Sequence, residues 1–206
     1  LEPLHAKSFH IFRYNSRGVG GSSGWPSLTG FTESKDLEAV VDWSIRYLHR
    51  LSPDSTSTAE ISNVTIIGYS HGSLIASLFP LLQLQTYPQM KTSHILISYP
   101  LGPRSFLTLF NSSRYTAKLH DLIRTPNSNL LVVYGDQDEF TSANKYENWK
   151  MELSDLRKDR DPGEHEELEH SKPTGLTIYC RPGASHFWRG SHGVWLKETV
   201  GAWLDS

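Results

Sequence analysis

The stretch Asn63-Val64-Thr65-Ile66-Ile67-Gly68-Tyr69-Ser70-His71-Gly72 decides how this chain is read. It begins as a nearly continuous apolar, β-branched run, the pattern of a strand buried on both faces. It passes through Gly-x-Ser-x-Gly and enters the mostly apolar stretch His71 to Leu84, which reads as a helix interrupted by Pro80. A serine on a sharp strand-to-helix turn has strained backbone dihedrals, and its hydroxyl projects above the carboxyl ends of the strands. Side chains two residues either way are expected to collide, which calls for glycine at both 68 and 72. Ser70 is therefore a candidate nucleophile.

Working outward, similar short apolar runs lie at Ser8 to Tyr14 (SFHIFRY), His94 to Tyr99 (HILISY), Leu130 to Tyr134 (LLVVY) and Leu176 to Cys180 (LTIYC). Helical periodicity separates them. Leu37, Val40, Val41, Ile45 and Leu48 form one stripe between Thr32 and Leu51, and Trp195, Thr199 and Trp203 share a face between Ser191 and Leu204. Residues 101–129 have room for two short helices, and a further helix starts near Thr141. This alternation predicts an α/β fold with a mostly parallel sheet and helices on both faces.

The 206 residues suit one domain, and 20 basic against 22 acidic side chains favour neither nucleic acid nor an anionic membrane as partner. A single cysteine excludes an internal disulfide and a cysteine-rich zinc module. No apolar run approaches the ~20 residues of a membrane span. A soluble domain is expected, cytoplasmic in location, with an acidic surface insertion at 161–174 that reads as a mobile loop. His165 and His170 in that insertion lack the i, i+4 spacing of helical metal ligands, and neither metal nor organic cofactor is expected.

A serine hydroxyl needs a base to take its proton and an acid to orient that base. After Gly-x-Ser-x-Gly the chain order should be acid, then histidine, each following a later strand. LLVVY runs into Gly135-Asp136-Gln137-Asp138-Glu139, and LTIYC into Gly183-Ala184-Ser185-His186. His186 is the candidate base. Asp138 is the favoured acid because the chain must turn outward after Gly135. Asp136 then reads as turn-forming and Glu139 as solvated. The loop Pro100 to Asn111 contains no acidic residue, so an acid one strand earlier is excluded.

Together Asn15-Ser16-Arg17-Gly18-Val19-Gly20-Gly21-Ser22, Gly68 to Gly72, Gly135 to Asp138 and Gly183 to Trp188 resemble the α/β-hydrolase superfamily, in particular its small, lid-poor, dienelactone-hydrolase-like and peptidase-like members. The resemblance implies a Ser70–Asp138–His186 triad, an oxyanion-binding N–H at His71, and hydrolysis of an ester or related acyl substrate through an acyl-enzyme. It also implies that the fold's first three strands and first helix would precede Ser8, so the expectation is an N-terminally incomplete domain over 1–206. SFHIFRY must then pair directly with the Asn63 run, stay apart, or find a partner in another chain. A non-catalytic binding domain or an inactive fragment is the alternative. The small-molecule acyl substrate and the oligomeric state are not specified by the sequence. Arg17 is expected to tie its loop to nearby backbone, and His192 opens the last helix and could cap it. Trp25, Tyr69, Phe106, Phe187 and Trp188, near the expected pocket, hint at an apolar substrate, although aromatics pack cores far more often than they read ligands.

Overall fold

The computed structural model describes residues 9–51, 61–82, 86–108, 110–160 and 175–206. The insertion at 161–174, with His165 and His170, lies outside them.

Four strands form one parallel sheet in sequence order: β1 (Asn63–Tyr69), β2 (Lys91–Ile97), β3 (Asn129–Gly135) and β4 (Leu176–Arg181). Side chains alternate across the sheet with the two-residue period of a strand. From β3, Leu130, Val132 and Tyr134 enter one core, while Leu131 and Val133 enter the other. The larger core is closed by α1 (Phe31–Leu51), α2 (His71–Ser77), α4 (Ser112–Arg124) and α5 (Ala143–Arg160). On the opposite face α6 (Ser191–Asp205) brings Trp203, with Trp195 and Val200 alongside, against Ile95, Ile97, Leu131 and Val133. The expected α/β architecture with helices on both faces is the observed one. Residues 101–129 hold two helices as anticipated, the short α3 (Arg104–Leu107) and α4.

Two readings of secondary structure change. The helix after Ser70 ends at Ser77 and does not continue to Leu84. Proline at 80 has no N–H to donate and disfavours helical geometry at the residue before it, so the chain closes with Leu78 N–H to the Ile75 carbonyl and Phe79 N–H to the Ala76 carbonyl. The stretch from Phe9 to Tyr14 forms no strand, although it has strand-like composition. It has no ladder partner among the described residues. Phe12 instead sets its ring edge-on to Trp43 and Tyr47, on the side of α1 away from the core residues Val41 and Ile45.

Arg17 also differs from expectation. Its guanidinium takes a forked grip on the Asp36 carboxylate of α1, with Nε to Oδ2 at 2.7 Å and Nη2 to Oδ1 at 2.6 Å, so its partner is a side chain. The start of α1 is further fixed by Glu33, which is buried and accepts the Ser27 hydroxyl, and by Tyr115, whose hydroxyl donates to the Thr29 carbonyl at 2.7 Å.

Candidate active site

Ser70 stands between β1 and α2 with φ +52° and ψ −123°, outside the regions an ordinary side chain prefers. The turn is held at both ends. Ser70 N–H donates to the Ile97 carbonyl of β2 at 2.9 Å, and Ser73 N–H donates to the Ser70 carbonyl at 2.9 Å. Only one of the two flanking glycines is sterically required. A Cβ at Gly68 would sit 2.4 Å from the Gly72 carbonyl oxygen, whereas at Gly72 it would meet nothing within 4 Å. The second glycine faces open space beside Ser70. The first N–H groups of a helix have no intrahelical partner, and the N–H of His71, the first residue of α2, is one of them. The imidazole of His71 is exposed.

The strand ends bring the other two candidates to the serine. His186 Nε2 lies 2.9 Å from Ser70 Oγ, and His186 Nδ1 lies 2.7 Å from Asp138 Oδ2. An ionised carboxylate only accepts, so Nδ1 carries the hydrogen and Nε2 is left to accept from the hydroxyl. Asp138 is buried, and its other oxygen, Oδ1, accepts the N–H groups of Phe140 at 2.8 Å and Thr141 at 3.0 Å. Tyr146 Oη lies 3.0 Å from the Tyr99 carbonyl and 3.4 Å from Asp138 Oδ2. Burial, and next the charge of Asp138, push the Tyr146 phenol pKa upward, so it stays a donor.

The remaining acids of the Gly135 loop have other partners. Asp136 Oδ1 accepts the N–H of Gly183 at 2.7 Å. Glu139, expected to be solvated, is exposed but accepts the backbone N–H of His186 on Oε2 at 2.8 Å. That N–H is the main reason the Glu139 pKa is lowered. Gln137 N–H donates to the Ala184 carbonyl at 3.0 Å, and the absence of a side chain at Gly135 lets that same carbonyl approach to where a Cβ would be only 2.1 Å away. On the other side, Tyr69 Oη–H donates to the His186 carbonyl at 2.9 Å.

Of the aromatics expected to line a pocket, Phe187 and Tyr69 do stand beside the histidine ring, with centroids 5.5 Å and 5.3 Å away, and Phe140 joins them at 4.7 Å. Trp188 does not line the site: it is buried in the α6-side core and donates its indole N–H to Ser98 Oγ at 2.8 Å. Trp25 and Phe106 are exposed. His192 does not cap α6. The N-cap is Gly190, with no side-chain bond to the helix start. His94 is a core residue whose ring Nε2 bonds the Phe79 carbonyl at 3.0 Å; burial lowers its pKa to about 4. Among the described residues no cluster could hold a metal ion, and no helix is long and apolar enough to cross a membrane.

No family model and no curated protein matches the chain. Solved structures do. A serine hydrolase homologue from Coxiella burnetii is 24% identical with a TM-score of 0.51, over 90% of this chain and 64% of its own. A protein of unknown function from Agrobacterium tumefaciens, described as an α/β hydrolase, is 21% identical with a TM-score of 0.56, over 93% of this chain and 66% of its own. The esterase Pf2001 of Pyrococcus furiosus is 18% identical with a TM-score of 0.56, over 93% of this chain and 67% of its own. The chain thus spans less than two thirds of the length of the first two. At these identities the likeness is one of architecture, and that architecture is the α/β-hydrolase fold.

Proposed function

We propose that the chain carries the working site of a serine hydrolase acting on a carboxylic ester or a related small acyl substrate. Ser70 is the nucleophile, His186 the general base and acid, and Asp138 the group that fixes the histidine tautomer and stabilises its charged form. The observation that carries this reading is the unbroken line of contacts from Asp138 through His186 to Ser70, at 2.7 Å and 2.9 Å, assembled from three separate strand ends.

In the first half-reaction His186 Nε2 takes the Ser70 proton as Oγ attacks the carbonyl carbon. The negative oxygen that forms is met by the N–H of His71 at the positive end of α2. Collapse expels the alcohol, which receives the proton from Nε2, and leaves an ester on Ser70. Water then repeats the sequence, releasing the acid and the free serine.

A fluorophosphonate probe tests the assignment on the chain as it stands. Mass spectrometry is expected to find the label on Ser70 and none on Ser70→Ala. An unlabelled but folded protein favours the alternative of a non-catalytic binding domain.

A further inference from the structure

We infer that Tyr69 and Glu139 are positioning residues that clamp the peptide of His186 from both sides; the inference builds on the reading of His186 as the base. The observation is a symmetry in the wiring. The residue before the candidate nucleophile and the residue after the candidate acid both reach the histidine backbone. Tyr69 donates its hydroxyl to the His186 carbonyl at 2.9 Å, and Glu139 accepts the His186 N–H at 2.8 Å. The imidazole is held at its two nitrogens by Asp138 and Ser70. All four hydrogen-bonding groups of one residue are therefore fixed, two of them by side chains that make no hydrogen bond to the imidazole or to Ser70 Oγ.

Histidine 186 sits in a loop, and a loop needs such constraints if its side chain is to hold one orientation. Backbone bonds inside residues 183–186 cannot supply them alone: Ala184 N–H bonds the Arg181 carbonyl, while Gly183 and His186 turn their N–H groups to Asp136 and Glu139. Each clamp is also chemically suited to its task. Burial, then the charges of Asp138 and Glu139, raise the Tyr69 pKa, so the phenol keeps its hydrogen. The His186 N–H lowers the Glu139 pKa, so the carboxylate keeps its lone pairs. A neutral donor and an ionised acceptor are what a carbonyl and an N–H require. The Tyr69 ring also lies 5.3 Å from the imidazole, which lets the phenyl of a Tyr69→Phe variant keep the contact while losing the bond.

The test uses Tyr69→Phe, Glu139→Ala and Glu139→Gln in the full chain, with the proton resonance of His186 Nδ1–H and its exchange with water as the first readout. Fluorophosphonate labelling of Ser70 is the second. Tyr69→Phe and Glu139→Ala are expected to speed exchange of that proton and to slow labelling by about five- to tenfold, the usual scale of one lost hydrogen bond. Glu139→Gln, which keeps an acceptor oxygen, should return both to within about threefold of the parent. Unchanged exchange in both Tyr69→Phe and Glu139→Ala would overturn the clamp, whatever happens to labelling. Failure of the parent to label, with exchange responding as expected, would remove the hydrolase reading and leave the clamp standing.

Discussion

The two sides of the sheet solve the same problem with different success. On β2 and β3, every apolar side chain from Ile95 to Ile97 and from Leu130 to Val133 is buried, because neighbouring strands cover the edges and helices cover both faces. On β1, Ile66 is buried in the core to which α1 and α2 contribute, but Ile67 and Tyr69 on the other face remain 46% and 44% exposed. Helix α6 reaches Ile97 and Val133 but not the β1 side chains that continue the same row. Residues 9–14 have the composition of a strand and no ladder to join among the described residues. Composition thus indicates what a segment could bury. Whether it becomes a strand depends on a partner that supplies the missing hydrogen bonds.

The sharpest contrast is chemical, since the proposed machinery spans both sides of the sheet: Ser70 follows β1, while the acid and base follow β3 and β4. Under that proposal Ser70→Ala should lower kcat by about 10⁶-fold and Asp138→Asn by about 10⁴-fold, measured as turnover of a p-nitrophenyl ester. A larger loss from Asp136→Asn than from Asp138→Asn would transfer the acid's role to Asp136.

Stability should divide the same way. Leu131→Ala, at a fully buried site, is expected to cost about 3 kcal/mol in urea unfolding, and Ile67→Ala less than about 1 kcal/mol. Equal costs would mean that the Ile67 face is covered in solution, and the contrast would fail.

Acid should act through the well-covered side as well. His94 on β2 is held neutral by burial, with a folded pKa near 4 against about 6.5 when unfolded. Between those values the unfolded chain binds the extra proton, so stability falls as pH is lowered from 6.5 toward 4, by up to about 3 kcal/mol. Unfolding midpoints across that range should show the slope, and His94→Gln should flatten it.

The smallest effect concerns the two glycines around Ser70. Gly68→Ala is expected to destabilise by about 1–3 kcal/mol and Gly72→Ala by less than about 1 kcal/mol, read as thermal midpoints. Similar shifts for the two would show that the turn relaxes more freely than its close contact with the Gly72 carbonyl implies.

Much of this was legible in the sequence for identifiable reasons. The runs HILISY and LLVVY announce buried strands because both of their faces are apolar, and Asp138 and His186 are found by asking which side chains follow such strands. The fate of residues 9–14 was not legible, because a strand's partner is set by tertiary pairing and not by its own composition. Nor was the grip on His186: Tyr69 is 117 residues away along the chain, and an exposed glutamate carries no mark that its acceptor is aimed at a backbone N–H. The two glycines of the Gly-x-Ser-x-Gly motif looked equivalent as letters, and only the approach of the Gly72 carbonyl to Gly68 separates them.

The positive φ at Ser70 has a consequence for how such a site could be lost. Holding a non-glycine residue there costs about 1–3 kcal/mol, a cost glycine would largely avoid. Relaxed selection on the hydroxyl would therefore meet a gradient toward glycine, since one substitution would silence the site and raise the melting temperature together. The decay of this chemistry would show first as a gain in hardiness, and a screen for thermostable variants that ignores turnover should find position 70 early.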